Sequence, residues 1–468
     1  MSVTGLLGGL DVGTTSVKAL LMTPEGVEVA HGRAPTTWRT TADGVEADPA
    51  AVTAAAHDAL VDALASVPDA RVTSLGVASM AEAGVLVGPD DDPLAPVIAW
   101  HDSRDVVQLA DLVETFGGQR FSTTTGLPLW TQWSITKHRW LRDNVPATSA
   151  AVRRYNIAEW VARSLGADPV SELSLSSRTG WLDLEARAPW EEALAWSGAS
   201  AALLGDLVEA GDPVGKVGSD CSVRQLRGAI LTIAGHDHQA ATIGAGAFGD
   251  QDELDSCGTA NAIVRTTFPT VTAEALAALT GAGVTVGWHA VRDRWSVLGA
   301  TQGGLILQGV MAWLGADAER LGELDQLAAE AEQGASTVTL GPESHEFAIS
   351  GSTAPGDVWR AATEAVTRQL RELAEVIEAG TGPRGQLVVT GGWSNSSALM
   401  AAKASVLGAL WRTETVEAGA RGAALLAGLA EGTYASYDDV PRLPRTELRP
   451  SPGAGHPAGT DRTSERTR

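Results

Sequence analysis

The chain has 468 residues, with 57 acidic side chains against 34 basic ones for a formal charge of −23, and two cysteines. A charge this negative repels polyphosphate backbones and anionic membrane surfaces, which argues against a nucleic acid or membrane partner, and two cysteines make neither a disulfide framework nor a zinc cluster. The lysines are Lys18, Lys137, Lys216 and Lys403 alone, so an anion site must draw its positive potential from elsewhere.

TGLLGGLDVG, SVKALLM and GVEVAHGRA predict three strands, the last two joined by the turn Thr23-Pro24-Glu25-Gly26. Asp48-Pro49 supplies an N-cap with proline at the first helical position, and Val52, Ala55, Ala59, Leu60, Ala63, Leu64 and Val67 recur at helical spacing. RVTSLGVASM returns as a strand, so the order is strand, strand, strand, helix, strand. The tryptophan-rich residues 116–224 are expected to complete the first domain and its substrate face.

The second half repeats this grammar. LDSCGTANAIV, VTVGWHAV and RWSVLGAT predict strands, residues 304–314 and 357–379 helices, QLVVTGG a strand ending on glycines, and residues 394–410 a helix. Leu10-Asp11-Val12-Gly13-Thr14 is echoed by Leu254-Asp255-Ser256-Cys257-Gly258-Thr259 with one residue inserted, so two diverged copies of one fold are expected. From Arg449 onward, prolines, glycines and polar residues without apolar periodicity predict a disordered tail. Asp11 interrupts the N-terminal apolar run too early for a secretory leader. Lys403 and Arg421 interrupt the most apolar C-terminal stretches, so a cytoplasmic protein that spans no membrane is expected.

Asp11-Val12-Gly13-Thr14-Thr15-Ser16 lies between two predicted strands. A tight turn of Gly, Thr and Ser offers backbone N–H groups and hydroxyls to a phosphate with no Cβ in the way, and a carboxylate just before it can hold a Mg²⁺ hydration shell. Taken alone, the segment reads equally as an ordinary hairpin turn capped by Asp11. Cys257-Gly258-Thr259 is a second such turn, and two facing hairpins would grip β- and γ-phosphates from both sides. Gly391-Gly392 closes a predicted strand before a helix, which permits close backbone approach to a nucleotide. The run from Gly244 to Gly249 fits G-x-G-x-x-G, but a helical pattern rather than a strand precedes it, so it reads as a helix end and a turn.

Together these motifs resemble the FGGY carbohydrate kinases, members of the superfamily that unites actin, sugar kinases and heat-shock ATPases. LGGLDVGTTSVKALLM resembles the family's first phosphate motif, PVIAWHDSRD its W-x-D-x-R segment and IAGHDHQAATIGAG its G-x-x-D-x-x-A-x-x-x-G signature. DSCGTANAIV resembles the second phosphate motif, VVTGGWSNSSALMAAKASVLG the adenosine motif and EAGARGAALLAGLAEG the closing helix. The resemblance implies an α/β fold of two ribonuclease-H-like, actin-like ATPase domains with an active-site cleft between them. Residues 1–245 are expected to form the sugar- and phosphate-binding domain, 246–448 the nucleotide-binding domain and 449–468 a loose tail.

The implied activity is ATP-dependent phosphorylation of a hydroxyl of a small sugar, ketose or polyol, with ATP and Mg²⁺ as cofactors. The resemblance makes Asp237 the general base and places Asp11 and Asp237 at the metal. It puts Gly13, Thr14, Thr15, Gly258 and Thr259 on the phosphates, and Gln302, Gly303, Gly391, Gly392 and Asn395 near the nucleotide. Glu82, Trp100, His236, Asp237 and His238 are expected to contact the substrate, and Asp102 and Arg104 to fix a loop as an ion pair. The sequence departs from two branches of the family: glycerol kinases have Arg-Glu where this chain has Ala81-Glu82, and xylulokinases have histidine at Glu82. A homodimer is left open. Two other classes compete with the kinase. His236-Asp237-His238 has the look of a zinc-dependent hydrolase site, although the other histidines are scattered singly. A catalytically silent nucleotide-binding paralogue is the second, against which the retention of Asp11, Asp237 and both Gly-Thr turns speaks.

Overall fold

The first apolar runs become β1 (Thr4–Val12), β2 (Ser16–Met22) and β3 (Glu28–Pro35), an antiparallel meander, in a computed structural model that describes residues 4–341, 346–415 and 417–450. The β2–β3 turn closes where Gly26 N–H donates to the Thr23 carbonyl at 2.9 Å, with Gly26 at φ 86°. Helix α1 (Pro49–Ala65) starts as its sequence dictates: the Asp48 carboxylate accepts from Ala50 N–H, and Pro49 sits in the first turn, where its missing N–H is no loss. It buries Val52, Ala59, Leu60, Ala63 and Leu64 against the meander. Strand β4 (Arg71–Ser79) returns parallel to β1, and β5 (Ile230–His236) adds parallel to β4, giving the order β5-β4-β1-β2-β3. Between β4 and β5 the chain builds a layer around the buried Trp133, Trp181 and Trp190.

Helix α2 (Asp237–Ala245) follows β5 directly and ends on Gly246 at φ 74°, so the G-x-G-x-x-G run is a helix cap and turn. The second sheet then forms from β6 (Glu253–Cys257), β7 (Asn261–Thr267), β8 (Thr285–Trp288) and β9 (Trp295–Thr301). Helices α3 (Gly303–Trp313) and α4 (Pro355–Thr381) precede β10 (Leu387–Thr390), and α5 (Ser397–Leu407), β11 (Leu410–Thr413), α6 (Ala418–Glu431) and β12 (Arg445–Leu448) complete the half. The order is β8-β9-β7-β6-β10-β11-β12. Its central strands β9-β7-β6-β10-β11 match β3-β2-β1-β4-β5 one for one, with two antiparallel pairings followed by two parallel ones. The duplication expected from the Leu-Asp echo is therefore present as topology.

LDSCGTANAIV divides at the expected glycine-threonine turn into two strands, β6 and β7. One sequence expectation changes. The helix expected over 394–410 is shorter: Ser396 caps α5 by accepting from Leu399 N–H, Gly408 at φ 83° ends it, and Leu410 already belongs to β11. The tail expectation falls from residue 451 onward outside the described residues.

Late in the chain, α6 lies on the first sheet, against β1, β4 and β5, and packs along α2. Only residues without a side chain allow this approach: a Cβ on Gly9 would overlap the Ala420 carbonyl, and one on Gly422 the Ala240 carbonyl. On its other side α2 meets the second sheet, where Ala245 packs with Leu254, Val264 and Val388. The two helices thus tie the sheets together behind the two hairpin turns.

Candidate active site

The register of β1 on β2 sets Asp11 opposite Lys18. Lys18 Nζ lies 3.6 Å from Asp11 Oδ2 and 3.2 Å from Glu417 Oε2, just before α6. Asp11 is buried, and its Oδ1 has no hydrogen-bond partner among the described residues. Burial pushes its carboxyl up to about 7 against the pull of Lys18, and the charges of Asp237 and Glu417 add to the rise. The turn beyond it is tied back by its acceptors. Thr36 Oγ1 donates to the Gly13 carbonyl (2.8 Å), Trp38 Nε1 to the Thr14 carbonyl (2.7 Å) and Trp100 Nε1 to Thr14 Oγ1 (2.9 Å). The half-buried Trp100 therefore braces the first hairpin, and Thr15 stands exposed at its tip.

Asp237 is the first residue of α2, reached through Gly235 at φ 81°. Its Oδ1 accepts from His238 N–H at 2.7 Å and lies 3.1 Å from His236 Nε2, and its side chain keeps 23% of its exposure. Burial works to raise its pKa, but His238, His236 and the backbone N–H outweigh burial and hold the carboxyl well below the usual carboxylate range. His238 is itself pushed below the ordinary histidine value by burial.

Glu82 follows β4 as a buried residue in the left-handed region, φ 66°. That conformation costs about 1–3 kcal/mol and persists only where the surroundings over-determine it. Here the Glu82 carbonyl accepts from Ser134 Oγ (2.6 Å) and Arg154 Nη2 (3.0 Å), while its Oε1 accepts from Arg178 Nε (2.6 Å) and Gln132 Nε2 (3.2 Å). Arg178 also donates to Thr285 Oγ1 of β8 at 2.8 Å, so the guanidinium bridges the two halves. Asp102 and Arg104 form the expected loop-fixing ion pair at 2.9 Å.

At the second hairpin, Gly258 is open: a Cβ there would find only the Ala260 carbonyl, at 3.5 Å. Leu305 N–H of α3 donates to the Thr259 carbonyl at 2.9 Å, and a Cβ on Gly391 would lie 2.7 Å from the Cys257 carbonyl. Gly258, Thr259, Gln302, Gly303 and Gly391 are thus gathered around one turn, with Gln302 and Thr259 exposed. Gly392 has open space around it and Asn395 is exposed one turn further on. Beneath the hairpin, Lys403 pairs with Asp255 and donates to Cys257 Sγ at 3.1 Å, and Asn261 Nδ2 donates to Asp255 Oδ1 at 3.2 Å. Burial disfavours the ammonium, but Asp255 and Cys257 outweigh it. Burial also pushes the Cys257 thiol up to about 12.

The donor set suits a hard divalent cation: Asp11 offers an orphaned carboxylate oxygen, and Asp237, near enough to act on Asp11, is ionised. Sequence reasoning missed Lys18, Gln132, Arg178 and Lys403. Lys18 had a usable signal, because a short turn at 13–15 puts residues 11 and 18 across from each other. The others join Glu82 or Asp255 over long stretches of chain, and no local pattern marks them.

A duplicated α/β fold with two glycine-threonine hairpins at its centre defines an actin-like ATPase architecture, and solved structures share it. A xylulose kinase from Rhodospirillum rubrum superposes with a TM-score of 0.84 at 22% identity, covering 96% of this chain and 95% of its own. A Plasmodium falciparum glycerol kinase with ADP gives 0.83 at 18% identity, with coverage of 96% and 94%. The model of the FGGY family of carbohydrate kinases matches with its N-terminal domain over residues 6–244 and its C-terminal domain over 284–431, and the chain belongs to that family. Among curated relatives, a glycerol kinase of Aromatoleum aromaticum is 29% identical over 95% of this chain and 93% of its own length, and one of Pseudarthrobacter chlorophenolicus is 28% identical over 92% and 90%. No helix among the described residues is long and apolar enough to cross a membrane.

Proposed function

We propose that this carbohydrate kinase transfers the γ-phosphoryl group of ATP to a hydroxyl of a small, neutral sugar, ketose or polyol, with Asp237 as general base. The observation that carries the reading is Asp237 itself: an ionised, partly exposed carboxylate at a strand-to-helix junction, electrostatically coupled to Asp11 and Lys18 on one side and, through His238, to Glu82 and Arg178 on the other. As the acceptor oxygen bonds to the γ-phosphorus and the bond to the β-phosphate oxygen breaks, Asp237 takes the hydroxyl proton. Glu82 holds the acceptor. Its Oε1 is occupied by Arg178 and Gln132, which leaves Oε2 to accept from vicinal hydroxyls. Arg178 gives Glu82 a guanidinium partner although its neighbour is Ala81. The backbone N–H groups of Thr14, Thr15 and Thr259 cradle the phosphates, while those of Gly13 and Gly258 donate to the Ser16 and Ser256 carbonyls and fix the turns, and Gly391, Gly392 and Asn395 lie where the nucleotide enters. Asp11, with Asp237 nearby, would hold Mg²⁺, which neutralises phosphate charge when bound.

The similar proteins named glycerol kinase and xylulose kinase set the range of acceptors to try. An ADP-release screen over glycerol, tetritols, pentuloses, hexuloses and aldoses with Mg²⁺ is expected to give turnover with one class of neutral polyhydroxyl compound. Substrate-independent ATP hydrolysis alone, or Zn²⁺-dependent hydrolysis without ATP, would overturn the reading.

A further inference from the structure

One ligand atom from each of His236, Asp237 and His238 lies within 4.8 Å of the other two, the only such group of three among the described residues. The two imidazole rings stand 5.3 Å apart at 79°. His236 Nε2 and Asp237 Oδ1 are 3.1 Å apart, close to the separation of about 3.3 Å that two ligands have on a tetrahedral ion with bonds of about 2.0 Å. Nδ1 of the buried His236 has no hydrogen-bond partner among the described residues. In the transfer Asp237 takes the proton itself and the imidazoles only tune its charge, while Mg²⁺, which prefers oxygen ligands, does not select them. Two imidazoles and a carboxylate are instead the donor set of Zn²⁺ and related borderline divalent ions, with a fourth position left to water.

We propose that His236, Asp237 and His238 form an inhibitory site for Zn²⁺, distinct in ligand chemistry from the Mg²⁺ that accompanies ATP. An ion held there occupies the Asp237 carboxylate, so the acceptor hydroxyl finds no base and transfer stops until the ion leaves. The binding claim stands on the donor geometry alone, whereas the inhibition rests on the reading of Asp237 as general base.

The two parts are tested separately on the full chain stripped of metal. Titration with Co²⁺ should give visible absorption of a tetrahedral ion at one equivalent per chain, and Zn²⁺ should displace it. His238→Gln, at a half-buried position, should weaken Zn²⁺ binding by at least about tenfold, as measured by competition with a chromophoric chelator. His236→Gln should do the same, with circular dichroism checking that this buried substitution folds. Cys221→Ser, outside the cluster, should leave Zn²⁺ affinity unchanged. Absence of a stoichiometric site, or unchanged affinity in His238→Gln, overturns the site. With saturating Mg-ATP and acceptor, turnover should fall in step with Zn²⁺ occupancy and return on chelation. Full turnover with the site occupied overturns the inhibition.

Discussion

The two hairpins share one topology and use their acidic residues in opposite ways. In the first, Asp11 pairs with Lys18 at 3.6 Å, the lysine side chain keeps 29% of its exposure, and one carboxylate oxygen is left without a partner. In the second, Asp255 and Lys403 are both sealed at 0% exposure, and the carboxylate is shared with Asn261 and Cys257. Duplication supplied two copies of a strand, a turn and an aspartate. In the first copy the pair stays partly open to solvent beside the turn, and in the second it goes beneath the turn, where it fixes shape. The scarcity of lysine sharpens the contrast, because three of the four sit against acidic side chains: Lys18 and Lys403 at the hairpins and Lys137 by Asp105.

Removing one partner separates the two roles, most strongly at the second hairpin. Lys403→Met leaves Asp255 buried and unpaired, and urea denaturation should show a loss of about 3–5 kcal/mol. The double variant Lys403→Met/Asp255→Leu should recover most of that loss, since an apolar pair of similar volume replaces the ions. At the first hairpin the balance reverses. Lys18→Met should change stability by less than about 1 kcal/mol, because the pair is partly exposed. Its effect belongs to turnover, where loss of the charge that opposes the rise of the Asp11 pKa should lower kcat/KM for ATP by about tenfold. Equal stability losses in the two variants would erase the distinction.

Glu172 gives the smallest test and indicates what Asp255 would become without its lysine. Burial lifts Glu172 to about 7, and its hydrogen bonds from Ser174 and Leu175 do not hold it down. The folded value lies above the unfolded 4.5, so its stabilising contribution is complete below pH 4.5 and lost as pH rises through about 7. Glu172→Gln, which keeps an acceptor for the Leu175 N–H, should flatten stability across that window. An unchanged pH slope would mean that Glu172 is ionised in the fold.

What the sequence made legible was local. Asp48-Pro49 marked a helix start and Gly-Thr pairs marked both turns, and the short turn between β1 and β2 held an unread signal for Lys18 across from Asp11. The residues that finish the site are brought in from far along the chain: Arg178 to Glu82, Lys403 to Asp255, and α6 to the first sheet. Their pattern is that of ordinary surface or helix positions, and only the folded arrangement assigns them work. The helix expected over 394–410 overran its true ends for a local reason instead, since an apolar run hid both a cap at Ser396 and a positive-φ glycine at 408.

Asp237 carries the proposed chemistry, and steady-state kinetics of Asp237→Asn test that role most directly once an acceptor is known. The prediction is ATP and acceptor binding close to wild type, with kcat reduced by at least about a hundredfold, because the base acts only as the hydroxyl attacks. A kcat within a few-fold of wild type would contradict the assignment.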